Sequence, residues 1–439
     1  MQQSQVSNEN PQRRFPRKIF YGWYIIAAGC ISGFFNQGIF TIGLSAFIPP
    51  VQKELGWSLT AISLGFSIKQ FEQGLLGPIS GYLIDRLGPR LMCTIGSIIA
   101  SIGLILFGRM DSFSTFYIAA IIIALGQSVG TIRAYMATLV HWFLQKRGLA
   151  AAIIGSGLGM GYAGVYPIAL LLEWYGWRNA AYITALVFLA ISVPLAQIIR
   201  HRPEQMGLQP DGITQSPEKS LGETINPDLQ TPDKSFTVTQ ALRSRAFWMA
   251  LIARAFYGLT TNVHHVHQIP HMVNRGFSST GAGLLVAIYG VTQMILRLLC
   301  GSLADKIGRF RMYRISFLSL GIGWVFFAYI SPTAWWNVMF FFVTYGIGHA
   351  AHTVAGQPIL ADYFGPHRFA TISGLMSPIS LMISVIGPLY GGIMFDHFGS
   401  FQLAFVILGP IISLATLAMF FAGAPTLSGK QNDINRTTK

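Results

Sequence analysis

Runs of about twenty residues with no more than one or two charged side chains recur along almost the whole chain. About 20 apolar residues are what a helix needs to cross the hydrocarbon core of a bilayer. Only 10% of the 439 residues are charged, where a soluble globular protein carries roughly a quarter. A cytosolic enzyme, a nucleic-acid-binding module and a disulfide-built secreted domain are excluded. The expected class is an all-α membrane protein that crosses the bilayer many times.

Length and hydropathy place twelve spans, at 20–48, 59–84, 91–108, 114–143, 148–172, 178–199, 246–269, 279–303, 312–330, 336–363, 370–394 and 400–422. The first follows Arg13, Arg14, Arg17 and Lys18 and is too long for a signal-peptide core, so it reads as a retained span. Of the 30 Lys and Arg, 22 fall on the termini and even-to-odd loops, against four (Lys53, Arg109, Arg178, Arg275) on the opposite loops. The positive-inside rule then puts both termini in the cytoplasm of a cell (plasma or inner) membrane, and the net charge of +14 reports orientation. Cys30, Cys93 and Cys300 all lie in apolar runs without paired or metal-type spacing.

The stretch 200–244, rich in Pro, Ser, Thr, Glu and Asp, reads as a solvated cytoplasmic linker. It separates bundles of six helices at 19–199 and 245–422, with cytoplasmic tails at 1–18 and 423–439. The halves repeat at an offset near 220. Gly81-Tyr82-Leu83-Ile84-Asp85-Arg86-Leu87-Gly88 returns as Gly301-Ser302-Leu303-Ala304-Asp305-Lys306-Ile307-Gly308. Gly56-Trp57-Ser58 returns as Gly276-Phe277-Ser278, and Phe143, Arg147 and Pro167 return at Phe364, Arg368 and Pro388.

A duplicated six-helix unit with two Gly-x-x-x-Asp-(Arg/Lys)-x-Gly loops resembles the major facilitator superfamily from about residue 18 to 422. The resemblance implies two pseudo-symmetric six-helix bundles working by alternating access. It also implies a conformational latch made by Gly81, Asp85, Arg86 and Gly88 with Gly301, Asp305, Lys306 and Gly308. In it the aspartates sit against a neighbouring helix N-terminus and close the cytoplasmic side.

Five charged residues lie well inside spans: Lys69, Glu72, Arg133, Arg254 and Arg297. Each costs on the order of 3 kcal/mol there, so each needs a partner or a water-filled cavity. Lys69 and Glu72 are three apart on one helix and can neutralise each other. The three arginines have no carboxylate left to pair with, and a planar guanidinium fork suits an organic anion. Arg297, four residues before Gly301, is deep enough for a central cavity. Arg254 shares a helix face with Gly258, Thr261 and His265, which suits either that cavity or the cytoplasmic gate. Arg133 follows Gly126 and Gly130, so helix packing and ligand contact compete for it. Tyr289 and Phe40 are candidates for setting cargo size.

Tyr21-Gly22-Trp23, Trp142-Phe143-x-x-Lys146-Arg147-Gly148-Leu149-Ala150 and Gly155-Ser156-Gly157 resemble the monocarboxylate transporter branch, which includes the bacterial oxalate–formate exchangers. By its spacing to Gly301, Arg297 matches that branch's substrate-binding arginine. Gln293 stands where animal members carry an Asp, and neither span one nor span eleven has a Lys. Proton coupling would therefore fall to Glu72, His265, His349 or His352, or to the cargo itself. Gln293, His265 and His352 join Arg297 among the candidate cargo contacts. The outer histidines of span seven (His264, His265, His267, His271) read as wetted interfacial side chains or as the lining of an external vestibule. No carboxylate or thiolate joins them, so no metal is expected.

Gly159-x-Gly161-x-x-Gly164 lacks a preceding strand and reads as a packing face, not a dinucleotide site. The expected activity is secondary transport of a small organic anion, most of all a lactate- or pyruvate-like monocarboxylate, with proton symport. A proton-coupled exporter of amphipathic compounds and an organic-anion exchanger are the alternatives. The partners implied are the anion, a proton and the lipid bilayer, without cofactor, nucleic acid or obligate protein partner. No nucleophile–base grouping suggests an enzyme.

Overall fold

The computed structural model describes residues 20–130, 132–212, 236–364 and 369–422. The expected tails, the middle of the linker and Arg368 lie outside the described residues. Every regular element among the described residues is helical. Eight helices are long and apolar enough to cross a membrane. One of them, Arg147–Ile198, is 52 residues long, more than twice what a bilayer needs, and it divides at Gly176, where φ is +74°.

Three further rods reach membrane length but are more polar: 59–87, Arg245–Asn274 and Arg309–Ala328. Lys69 and Glu72 lie in the first, four histidines in the second, and Arg309, Arg311 and Arg314 open the third. The described residues thus form twelve rods in chain order. Span one is Gly22–Leu55, span three Pro89–Gly108 and span four Phe113–Trp142. Spans seven to ten are Arg245–Asn274, Ser279–Ile307, Arg309–Ala328 and Trp335–Phe364, and span twelve is Gln402–Ala422. Spans two, five, six and eleven are 59–87, 147–175, 177–198 and 369–398. Side chains such as Leu298, Met339 and Phe420 are largely exposed on the outside of the bundle, as they are where hydrocarbon is the solvent.

The internal repeat has a structural cause. Gly56 (φ +67°) and Gly276 (φ +95°) end one helix in a backbone region that other residues avoid. Two residues on, Ser58 accepts from Ala61 N (3.2 Å) and Ser278 from Gly281 N (3.0 Å), capping the next helix. Gly88 (φ +84°) and Gly308 (φ +91°) make the matching turn at the other ends of spans two and eight.

Residue 20 packs on Trp142 and Phe143, and the Tyr21 hydroxyl donates to Ile198 O (2.8 Å). The start of span one and the ends of spans four and six therefore share one face, the inner face. Two seams join the halves. Where spans five and eight meet, a Cβ on Gly290 would lie 2.4 Å from Tyr162 Cβ. Where spans two and eleven meet, a Cβ on Gly392 would lie 2.6 Å from Ser63 Oγ. At the outer end of this second seam, the Asp396 carboxylate accepts from Leu59 N (2.9 Å) and Thr60 N (2.8 Å), capping span two from the opposite half. Toward the inner face the same helices part, and Gly81, Gly155 and Gly301 have no neighbouring atom within 4 Å of a built Cβ. The protein is shut outside and open inside.

Candidate functional site: a cationic cavity between the halves

Two chambers of about 460 and 430 Å³ adjoin at Gly258, Leu381 and Ser384, the first between the bundles and the second within the C-terminal half. The first takes Thr41, Lys69, Gln70, Gln73 and Arg133 from the N-terminal half and Asn262 and His265 from the other. The second is walled by Arg254, Tyr257, Tyr313, His352, Ser377 and Ser380. No Asp or Glu is among the lining residues of either chamber.

The arginines are held by neutral groups. Arg254 donates to Ser373 Oγ (3.3 Å) and Ser377 Oγ (3.4 Å). Arg133 donates to Ser80 Oγ (3.2 Å) and Gln73 O (3.3 Å). Packing and ligand contact need not compete for span four: Gly126 and Gly130 meet span three, and Arg133 lines the cavity. Arg297 is half-buried at the five–eight seam, with Nη1 3.6 Å from a built Cβ on Gly159. Its Nε is buried without a hydrogen-bond partner among the described residues. It lines neither chamber.

Tyr289 and Gln293 are 2% and 1% exposed and lie inside the C-terminal bundle, lining neither chamber. Gln293 Nε2 donates to the Tyr289 hydroxyl (2.8 Å) and Gly346 O (3.0 Å). Phe40 is likewise buried, edge-on to Phe188. His265 lies 3.2 Å from the Tyr162 hydroxyl across the halves, and His352 stacks on Tyr257 with ring centroids 3.4 Å apart. Nδ1 of both His349 and His352 is buried and unpartnered.

Two sequence readings are corrected. Lys69 and Glu72 do not pair: Lys69 Nζ donates to Phe40 O at 2.5 Å, and both Glu72 oxygens are buried without a hydrogen-bond partner. Phe40 lies in a π-helical stretch, Asn36–Gly43, whose i→i+5 pattern interrupts the ordinary ladder. The outer histidines are not interfacial either. His264, His267 and His271 are buried; His267 and His271 donate through Nε2 to Pro388 O and Phe327 O, each at 2.8 Å. Of the residues expected to form a latch, Asp85 and Asp305 are exposed and in no ion pair among the described residues.

Several cavity residues escaped the sequence reading. Asn262 donates to Gln70 Oε1 and to Ser384 O (3.1 Å), tying span seven to spans two and eleven. Ser373, Ser377, Ser380 and Ser384 recur at spacings of four, three and four, a helical stripe that was there to be found.

Comparison with known proteins places this architecture. Over 371 residues the chain is 28% identical to an oxalate:formate antiporter of Oxalobacter formigenes, covering 82% of this chain and 81% of that one. It is 23% identical to monocarboxylate transporter 11 of Homo sapiens, covering 92% and 83%. The nucleoside transporter NupG has the same fold, with a TM-score of 0.71 over 92% of this chain and all of that one, at 14% identity. A bacterial homologue of the lysosomal transporter Spinster, solved inward-facing and occupied, gives 0.69 over 92% and 97%, at 16% identity. The Major Facilitator Superfamily profile matches residues 29–269 and again 266–438. The chain's relatives are like the monocarboxylate-transporter branch, and with both halves matched the chain belongs to the Major Facilitator Superfamily of membrane transporters.

Proposed function

We propose that this transporter moves small organic anions, above all short monocarboxylates of the lactate or pyruvate kind, by alternating access and together with a proton. The observation that carries the reading is the charge of the central region. Arg133 and Arg254 line the chambers, held by hydroxyls and a carbonyl. Arg297 stands at the five–eight seam with Nε unpartnered among the described residues, and no acidic side chain lines the chambers. Cations at membrane depth without a counter-charge are costly, and an anionic cargo relieves that cost. The activities of the relatives, oxalate–formate antiport and monocarboxylate transport, agree in sign.

Arg297 is the group assigned to the cargo carboxylate, with Arg254 as a second hold nearer the inner mouth. His265, His349, His352 and Glu72 are the groups assigned to the proton. The inner face is taken as cytoplasmic, in the cell membrane. On its closure Asp85 and Asp305 would reach helix ends of the opposite half. The test is uptake of labelled short carboxylates into proteoliposomes, with and without an imposed pH gradient, for wild type and Arg297→Gln. Uptake driven by an inward proton gradient and lowered at least about tenfold by the substitution, the size of one lost charge-assisted bond, is expected. Wild-type liposomes that move bulky cations but no carboxylate would replace this reading with the exporter.

A further inference from the structure

Lys69 is the most buried cation of the cavity wall, only 7% exposed. An ammonium carries three donors, and one hydrogen bond is seen, to Phe40 O at 2.5 Å. The ion pairs among the described residues are Arg178–Glu54 and Arg309–Asp362, so no described carboxylate neutralises it. Glu72, one turn along, keeps both oxygens buried and unpartnered among the described residues, and it is absent from the wall that Lys69 lines. That wall brings Lys69 into one chamber with Arg133, Gln73 and His265.

We infer that Lys69 is the cargo anchor of the N-terminal half: it binds the carboxylate from span two while an arginine of the C-terminal half holds it from the other side. This rests on the organic-anion reading above. A carboxylate has two oxygens and about four acceptor positions, enough for one cation from each half. The cargo then bridges the two bodies that must rock, which ties occupancy to movement. The grip on Phe40 O gives the anchor a second consequence. Phe40 belongs to the π-helical stretch of span one, a kind of irregularity that collects at functional sites. A carboxylate that shares the ammonium loosens its hold on that carbonyl, so loading the cavity is felt in span one.

Two substitutions separate anchoring from mere support of span one. Lys69→Gln keeps an N–H donor for Phe40 O without the charge, and Lys69→Met removes both. In proteoliposomes both are expected to raise KM for a labelled short monocarboxylate at least about tenfold, the worth of one charge-assisted hydrogen bond. Maximal rate should change far less. Lys69→Gln with wild-type KM overturns the inference and leaves the anion reading standing; wild type that carries no carboxylate sinks both. If neither variant is recovered as a monodisperse species, the amine itself is read in wild type. Saturating monocarboxylate should protect Lys69 from a small amine-reactive reagent, quantified by peptide mass spectrometry, and equal modification with and without cargo overturns the assignment.

Discussion

His201 lies just beyond the inner end of span six, with its ring centroid 5.3 Å from that of His141. Burial and then the charges of His141 and Arg202 hold its imidazole below the usual range, with Asp85 acting the other way. The folded protein therefore prefers the neutral ring, and the unfolded chain takes the proton first as pH falls. This contribution to stability is present above about pH 6.5 and is lost as pH drops toward the folded value. His201→Gln should narrow the difference in melting temperature between about pH 7.5 and 5.5, measured in detergent, by removing that proton uptake. A gap as wide as in wild type would mean that other groups carry the acid sensitivity. Other single residues show how far sequence reaches. Arg133, Arg254 and Arg297 were legible because a guanidinium in an apolar run has no bland explanation. Lys69 was not, because Glu72 three residues on offered a partner, and only the folded chain brings the Phe40 carbonyl nearer. Tyr289 and Gln293 pack inside the C-terminal bundle instead; one sequence does not tell which face of span eight is wet.

The twelve rods were readable as elements because their periodicity and length are dictated by hydrocarbon, and their ends by Gly and Ser at repeated positions. Which rod ends touch across the halves was not readable, and that is where Asp396 matters. Its carboxylate on Span two's first amides, Leu59 N and Thr60 N, joins a charge to a helix N-terminus. Such a contact at an exposed site contributes about 1 kcal/mol. Asp396→Ala should then loosen the outer seam and move the balance of states outward about fivefold, one kcal/mol expressed as a ratio. Spin labels at positions 53 and 400 would report a growing long-distance population; an unchanged distribution would show that close packing at Gly392 holds the seam without the carboxylate.

The whole molecule is two copies of one plan that meet tightly on one side. The duplication was visible in the sequence, down to the paired Gly-x-Ser corners. The state of opening was not, since both states share every helix and differ only in which ends meet. That state has a kinetic corollary. A carrier whose lips are joined outside by Asp396 and parted inside must break that seam to turn outward, and this turn is expected to be the slow leg of each cycle when no cargo accompanies it. Vesicles preloaded with unlabelled cargo should therefore take up label several-fold faster than unloaded ones; equal initial rates would place the slow leg elsewhere. Should the ratio hold, the protein would swap cargo between two filled compartments more readily than it fills an empty one.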